Sequence, residues 1–279
     1  MLTALLATTG ATLFGCADFL GGLASRRGPA LTVSLQSQAV GLVILTLVSL
    51  PMGLSAALRT DTLWGVLAGC AGALGVASLY AGLATGRMSV VAPVTAALSG
   101  SIPAAYDLAT GSEVGPVALA GLALALVAIV IVSVSGHDQA AEGAGRALML
   151  ALVAGVCFGG SVLSYAQTTA ESGFWPLAAA RLTSVTFLLA ATLVSRTRVR
   201  LPREAQSPAL FTGALDASAN MSLVLALRLG PVAVASVLGA LYPVATVLLA
   251  RFVLHEHIRG WQRVGVALAL VAVVLAAVR

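Results

Sequence analysis

Apolar runs near the length of a bilayer crossing constrain this chain more than any other feature. A helix crosses hydrocarbon in about 20 residues. Breaks at glycine, proline and charge divide the sequence into ten candidate spans, at roughly 2–24, 31–51, 63–85, 88–108, 115–135, 146–169, 174–195, 207–228, 231–253 and 259–278. Most connections are short, so consecutive helices are expected to run antiparallel. The chain of 279 residues is 59% hydrophobic and 9% charged, where a soluble domain is about a quarter charged. Lipid is therefore its solvent. Residues 1–24 read as a retained span rather than a cleaved leader, because no positive charge precedes the apolar stretch and Asp18 interrupts it.

The charge pattern excludes a nucleic-acid partner. The net charge is +5 and every Lys or Arg position is Arg, but these residues fall between the apolar runs. That placement marks membrane sidedness. With Arg181 set aside as intramembrane, most arginines lie on the side opposite the termini, which places both termini outside. Cys16, Cys70 and Cys157 fall inside apolar runs without metal-ligand spacing, and "HEH" (255–257) lacks the spacing of a zinc site. No metal and no cofactor is expected.

The sequence carries an internal repeat. "GLALALVA" (121–128) returns as "GVALALVA" (265–272), "LFG" (13–15) as "CFG" (157–159), and Glu113 as Glu256, all at an offset of 143 or 144 residues. Residues 1–137 and 145–279 are read as two repeats of five helices each. Five is odd, so the second copy enters the membrane from the opposite side. The predicted fold is an all-α integral membrane protein of ten transmembrane helices in two inverted repeats. Folds of this kind place a binding site near the bilayer midplane between the copies.

Polar side chains inside the spans are the candidate functional groups, because a charge at a helix centre costs about 2.5–3.5 kcal/mol on insertion scales. Asp216 is the most central, in the eighth span, and Asn220 shares its helix face one turn on. Asp18 lies within the first span. The equivalent positions of the other repeat are Gly72 or Ala73 for Asp216 and Val162 for Asp18, so repeat symmetry requires neither acid. The structural alternatives are an ion pair or a helix–helix hydrogen bond for Asp216 and a helix-end carboxylate that reaches water for Asp18. Arg181, inside the seventh span, cannot deprotonate and needs an anion or water. A structural partnership, with Asp216 or a helix end, is favoured over substrate contact. Tyr80 and Tyr242 are the aromatic pocket candidates, while Tyr165 and Trp175 read as interfacial. Gln36 and Gln38 point to different faces of the second span, so one of them looks inward. Pro93, Pro103 and Pro243 are expected within helices. "GCAGALG" (69–75) reads as a close helix contact.

The chain resembles a ten-helix EamA-type member of the drug/metabolite transporter superfamily. The resemblance rests on "LFGCADFLGG" (13–22), "ALRLGPVAVASVLGALYPVATVLLARFVLHEHI" (226–258) and "QRVGVALALVAVVLA" (262–276). The first half departs from the pattern where "ALSGSIP" (97–103) stands in place of "ALYP" (240–243). The resemblance implies a multi-pass protein of the inner (plasma) membrane, a monomer or homodimer, moving a small metabolite, amino acid or drug-like solute. It also implies termini inside, against the charge count, and an Arg at the place of Arg181. The resulting expectation is a non-enzymatic secondary-active transporter with a small-molecule substrate and a coupling proton as candidate partners. Its cavity would be lined by the first, third, fourth, sixth, eighth and ninth spans, with the fifth and tenth at the periphery. Asp18 and Asp216 would face each other's repeat across that cavity. Two alternatives remain. One is a channel-like facilitator. The other is an intramembrane aspartyl protease, invoked by "YD" at 106–107 and "GALD" at 213–216; its "PAL" (208–210) precedes "GALD" instead of following it.

Overall fold

The computed structural model describes residues 2–53, 60–109, 144–229 and 238–255, with isolated positions between 117 and 127 and between 263 and 275. Among these residues there are helices and turns and no strand. Lipid supplies no hydrogen bonds to a backbone, so each crossing segment satisfies its own as a helix. The helices are α1 (Leu2–Ser25), α2 (Ala30–Ser49), α3 (Asp61–Thr85), α4 (Met88–Ala109), α5 (Ala144–Ala166), α6 (Trp175–Val194), α7 (Arg203–Leu229) and α8 (Tyr242–Val253). Those that are long and apolar enough to cross a bilayer are α2 with its 3-10 extension to Met52, α3, α5, α6 and α7; α4 and α8 also carry apolar stretches. Of the fifth and tenth expected spans, which hold the "GLALALVA" pair, only those isolated positions are described, all of them helical; Glu113 and Glu256 lie outside the described residues.

Local chemistry sets the ends. Pro29, extended at φ −61° and ψ 124°, directly precedes α2. Asp61 opens α3, where a carboxylate is favourable against the positive end of the helix dipole. Pro176 stands in the first turn of α6, where proline's missing N–H has no helical acceptor to lose. Pro93 and Pro103 lie inside α4 as expected. Pro243 does not lie inside a helix. The chain is helical at 238–239, turns at Ala240 and Leu241, and begins α8 at Tyr242, which places Pro243 in the first turn. The expected ninth span is thus broken over its described part, since Pro243 cannot donate the N–H that a continuous helix would use.

Small residues let the helices approach. α1 packs on α7 and α3 packs on α5; α2 lies against both α6 and α7; α1 meets α8 while α5 meets α4. A side chain on Gly69 would run into the Ala180 carbonyl, and one on Gly213 would run into that of Ser37. Gly15 is held the same way against Tyr242, and Gly159 against Ile102. Hydroxyls tie the same crossings. Thr212 Oγ1 donates to the Ala17 carbonyl at 3.4 Å, and Ser161 Oγ donates to that of Ala68 at 3.0 Å. Thr246 Oγ1 donates to the Gly15 carbonyl at 3.1 Å. Interhelical bonds of this kind contribute about 0.6 kcal/mol each, so close backbone packing carries more of the association than any one bond.

Candidate functional site

Between these helices lies a cavity of about 180 Å³. Asp18, Tyr80, Arg181, Asp216, Asn220 and Tyr242 all line it. α1 brings Asp18, which is 8% exposed. Among the described residues Asp18 has no hydrogen-bond or ionic partner. α7 brings Asp216 and, one turn on, Asn220, whose Nδ2 donates to the Asp216 carbonyl at 2.8 Å and to its Oδ1 at 3.3 Å. α6 brings Arg181, whose Nη2 meets Asp216 Oδ2 at 2.6 Å. Its Nη1 donates to Gln38 Oε1 of α2. The guanidinium lies against the bare backbone of Gly41, where a side chain would meet Nε at 3.4 Å.

This cluster gives the site its electrostatics. A buried guanidinium is tolerated because a carboxylate and an amide oxygen compensate it. Arg181 and Asp216 together carry no net charge, and among the described residues Asp18 is the carboxylate of the cavity that no cation compensates.

The wall includes two helices beyond those expected to line it. Gln38 of α2, and Arg181 and Ser184 of α6, line the cavity beside residues of α1, α3, α4, α5 and α7. The second and seventh spans therefore belong to the wall. The reason is chemical: Arg181 draws groups from α2 and α7 toward itself. Of the two glutamines, Gln38 is the inward one, 2% exposed; Gln36 donates instead to the Val199 carbonyl at 3.1 Å. Tyr165 lines the cavity rather than a membrane interface. Trp175 donates its indole N–H to the Gly53 carbonyl at 3.0 Å. The Tyr80 ring is packed against Gly21, where a Cβ would stand 2.6 Å from the ring. Phe14 and Tyr242 meet edge to face, with centroids 6.4 Å apart. The side chain of Asp107 lies outside the described residues.

Glycines 69–75 divide their roles. Gly69 presses on Ala180 and Gly75 on the Phe158 ring, as close contacts should. Gly72 lines the cavity, and a side chain there would meet only the Ser161 and Ser184 hydroxyls, at 3.7 and 3.9 Å.

Many lining residues form pairs separated by 143 or 144 positions. Phe14 pairs with Phe158, Leu79 with Leu223, Gln38 with Arg181, and Ser99 with Tyr242. Three further pairs set a polar side chain against an apolar or bare position: Asp18 with Val162, Asp216 with Gly72, and Asn220 with Val76. The repeat offset was the sequence signal that could have found Gln38, the partner position of Arg181.

Residues 145–278 match the model of the EamA-like transporter family. The chain also superposes on a solved structure described as "Crystal structure of protein", with a TM-score of 0.69 over 98% of this chain and 95% of that one. At 16% identity the likeness speaks for a shared fold. No curated protein matches the chain. The aspartyl protease alternative finds no support: the family is one of transporters, and Asp216 is engaged by Arg181.

Proposed function

We propose that this multi-pass membrane protein, whose residues 145–278 form an EamA-like transporter family domain, is a secondary-active transporter of a small solute. It works by alternating access about the cavity. Its scaffold is ten helices in two inverted repeats, residues 1–137 and 145–279, in the inner (plasma) membrane. Reciprocal contacts support that scaffold. The Thr212–Ala17 and Ser161–Ala68 bonds join positions related by 144 residues, with donor and acceptor exchanged between the halves. Gln38 and Arg181, 143 apart, bond to each other. A residue can meet its own repeat equivalent only near an axis that relates the two halves, so this bond supports an axis at the cavity wall.

The observation that carries the function is Asp18. A buried carboxylate with no partner among the described residues is costly, and water, a proton or a cationic substrate group in the cavity would supply that partner. Asp18 is therefore the primary binding or coupling group. Asp216, with Asn220, is held by Arg181 as its neighbour, and Tyr80 and Tyr242 shape the space around them. This reverses the order expected from helix depth alone, which put Asp216 first.

The test is counterflow in proteoliposomes against a mixed pool of amino acids, nucleosides, sugars and cationic drugs, with and without a pH gradient. Saturable exchange that Asp18→Asn abolishes or uncouples from the gradient is expected. Flux that rises without saturation would identify a channel instead.

A further inference from the structure

The carboxylates that line the cavity stand on one wall, although Tyr80 of α3 and Tyr165 of α5 bring phenol groups to the other side. Asp18 stands on α1 and Asp216 and Asn220 on α7, and these two helices pack directly together. Their repeat equivalents, Val162 on α5 and Gly72 and Val76 on α3, line the same cavity from another packed pair. At these three positions the second wall offers no charge and no hydrogen-bonding group. The two hydroxyls nearest Gly72 are already committed, Ser161 to the Ala68 carbonyl at 3.0 Å and Ser184 to that of Gly69 at 2.9 Å. Phe158 adds an aromatic ring to this side.

Charge and size narrow the occupant. Arg181 neutralises Asp216, so among the described residues this wall holds one unpaired carboxylate, Asp18, and matches one positive charge. The cavity, at about 180 Å³, is slightly larger than an apolar cavity of about 150 Å³ that holds benzene. It fits a single ring with a short arm. Gly72 keeps that ring space open, since it is not needed for helix contact: a Cβ would find only ordinary contacts, at 3.7 Å or more.

We infer that the substrate is an arylalkyl ammonium monocation. Its ammonium group sits at Asp18, beside the Arg181–Asp216 pair, and its ring lies in the wall of Gly72, Val76, Phe158 and Val162. Asp18 then reads the charge, while Gly72 and Val162 read the body. This rests on the transporter reading above and names the solute class for the same cavity.

Phenethylamine is the probe, in counterflow with the full-length protein in proteoliposomes. It should exchange saturably. Neutral 2-phenylethanol, anionic 3-phenylpropionate and bodiless methylammonium should compete poorly. Gly72→Val fills the ring space and should weaken phenethylamine by about tenfold or more, the range for a misfitting apolar group, without lowering the unfolding midpoint. If that variant fails to fold, Gly72→Ala with its single methyl serves instead, with a smaller loss in the same direction. Competition by 2-phenylethanol equal to that of phenethylamine would overturn the charge assignment. An unchanged affinity in a folded Gly72 variant would overturn the assignment of the ring wall. If another solute of the mixed pool is exchanged while phenethylamine is neither carried nor competes, the inference fails and the transporter reading stands. If nothing in the pool exchanges, both fail.

Discussion

Arg181 and Asp216 form an ion pair at 2.6 Å that bridges α6 and α7, two helices that both pack on α2. Gln38 of α2 accepts a second hydrogen bond from the same guanidinium. Three helices are thus joined at one point of the cavity wall, by a charge that cannot be removed by deprotonation.

Breaking that pair should destabilise the protein. Asp216→Asn leaves Arg181 buried with an amide in place of a carboxylate, and loss of a buried pair's partner costs about 3–5 kcal/mol. The Asn can still accept one bond, and the Asp216 side chain is 20% exposed to the cavity, so about 3 kcal/mol is expected. Arg181→Gln combined with Asp216→Asn should recover part of the loss. Thermal unfolding of the purified variants measures both. A wild-type midpoint for Asp216→Asn would show that the pair contributes nothing to folding.

Asp18 should behave in the opposite way. It has no partner among the described residues, so Asp18→Asn removes a costly charge and breaks no bond. The unfolding midpoint should equal or exceed that of wild type, while transport falls to background. A destabilised Asp18→Asn would reveal a structural bond and remove the case for a binding role.

Two glycines three residues apart should respond differently to the same change. A methyl on Gly69 meets the Ala180 carbonyl, whereas a methyl on Gly72 meets nothing closer than 3.7 Å. Gly69→Ala should cost about 1–3 kcal/mol, the usual range for overpacking; Gly72→Ala should leave stability near wild type. Parallel unfolding curves decide it, and equal losses would mean that Gly72 also sits in a helix contact.

The end of the molecule nearest Thr169 is held by a buried acid. Asp61 Oδ2 accepts from the Thr169 backbone N–H at 2.8 Å and from its Oγ1 at 2.6 Å. Arg228 donates to the carbonyls of Thr169 at 3.1 Å and Gly173 at 2.7 Å, and lies over the Phe174 ring. Hydrogen bonds to a charged group are each worth about 1.5–3 kcal/mol. Asp61→Ala should therefore release the 167–174 connection, seen as faster amide hydrogen exchange there than in wild type. Unchanged exchange would mean that Asp61 is not needed to hold the loop.

The sequence alone determined the helical class and most helix positions. In hydrocarbon a backbone has few ways to satisfy its hydrogen bonds, so the length and composition of an apolar run suffice to predict a helix. It also singled out Asp18, Arg181 and Asp216, since a charge in such a run stands out against everything around it. The break in the ninth span was not legible in this way. "GALYPVA" (239–245) is as apolar as its neighbours, and a proline inside a helix and one at its first turn look alike in text. Only the tertiary structure decided which acid is paired with Arg181. Arg181 lies 35 residues before Asp216 and 163 after Asp18 in the chain, and no spacing says which of them it reaches. The packing of α6 and α7 on α2 makes that choice, because it brings Arg181 to Asp216 and Gln38 and leaves Asp18 with the cavity.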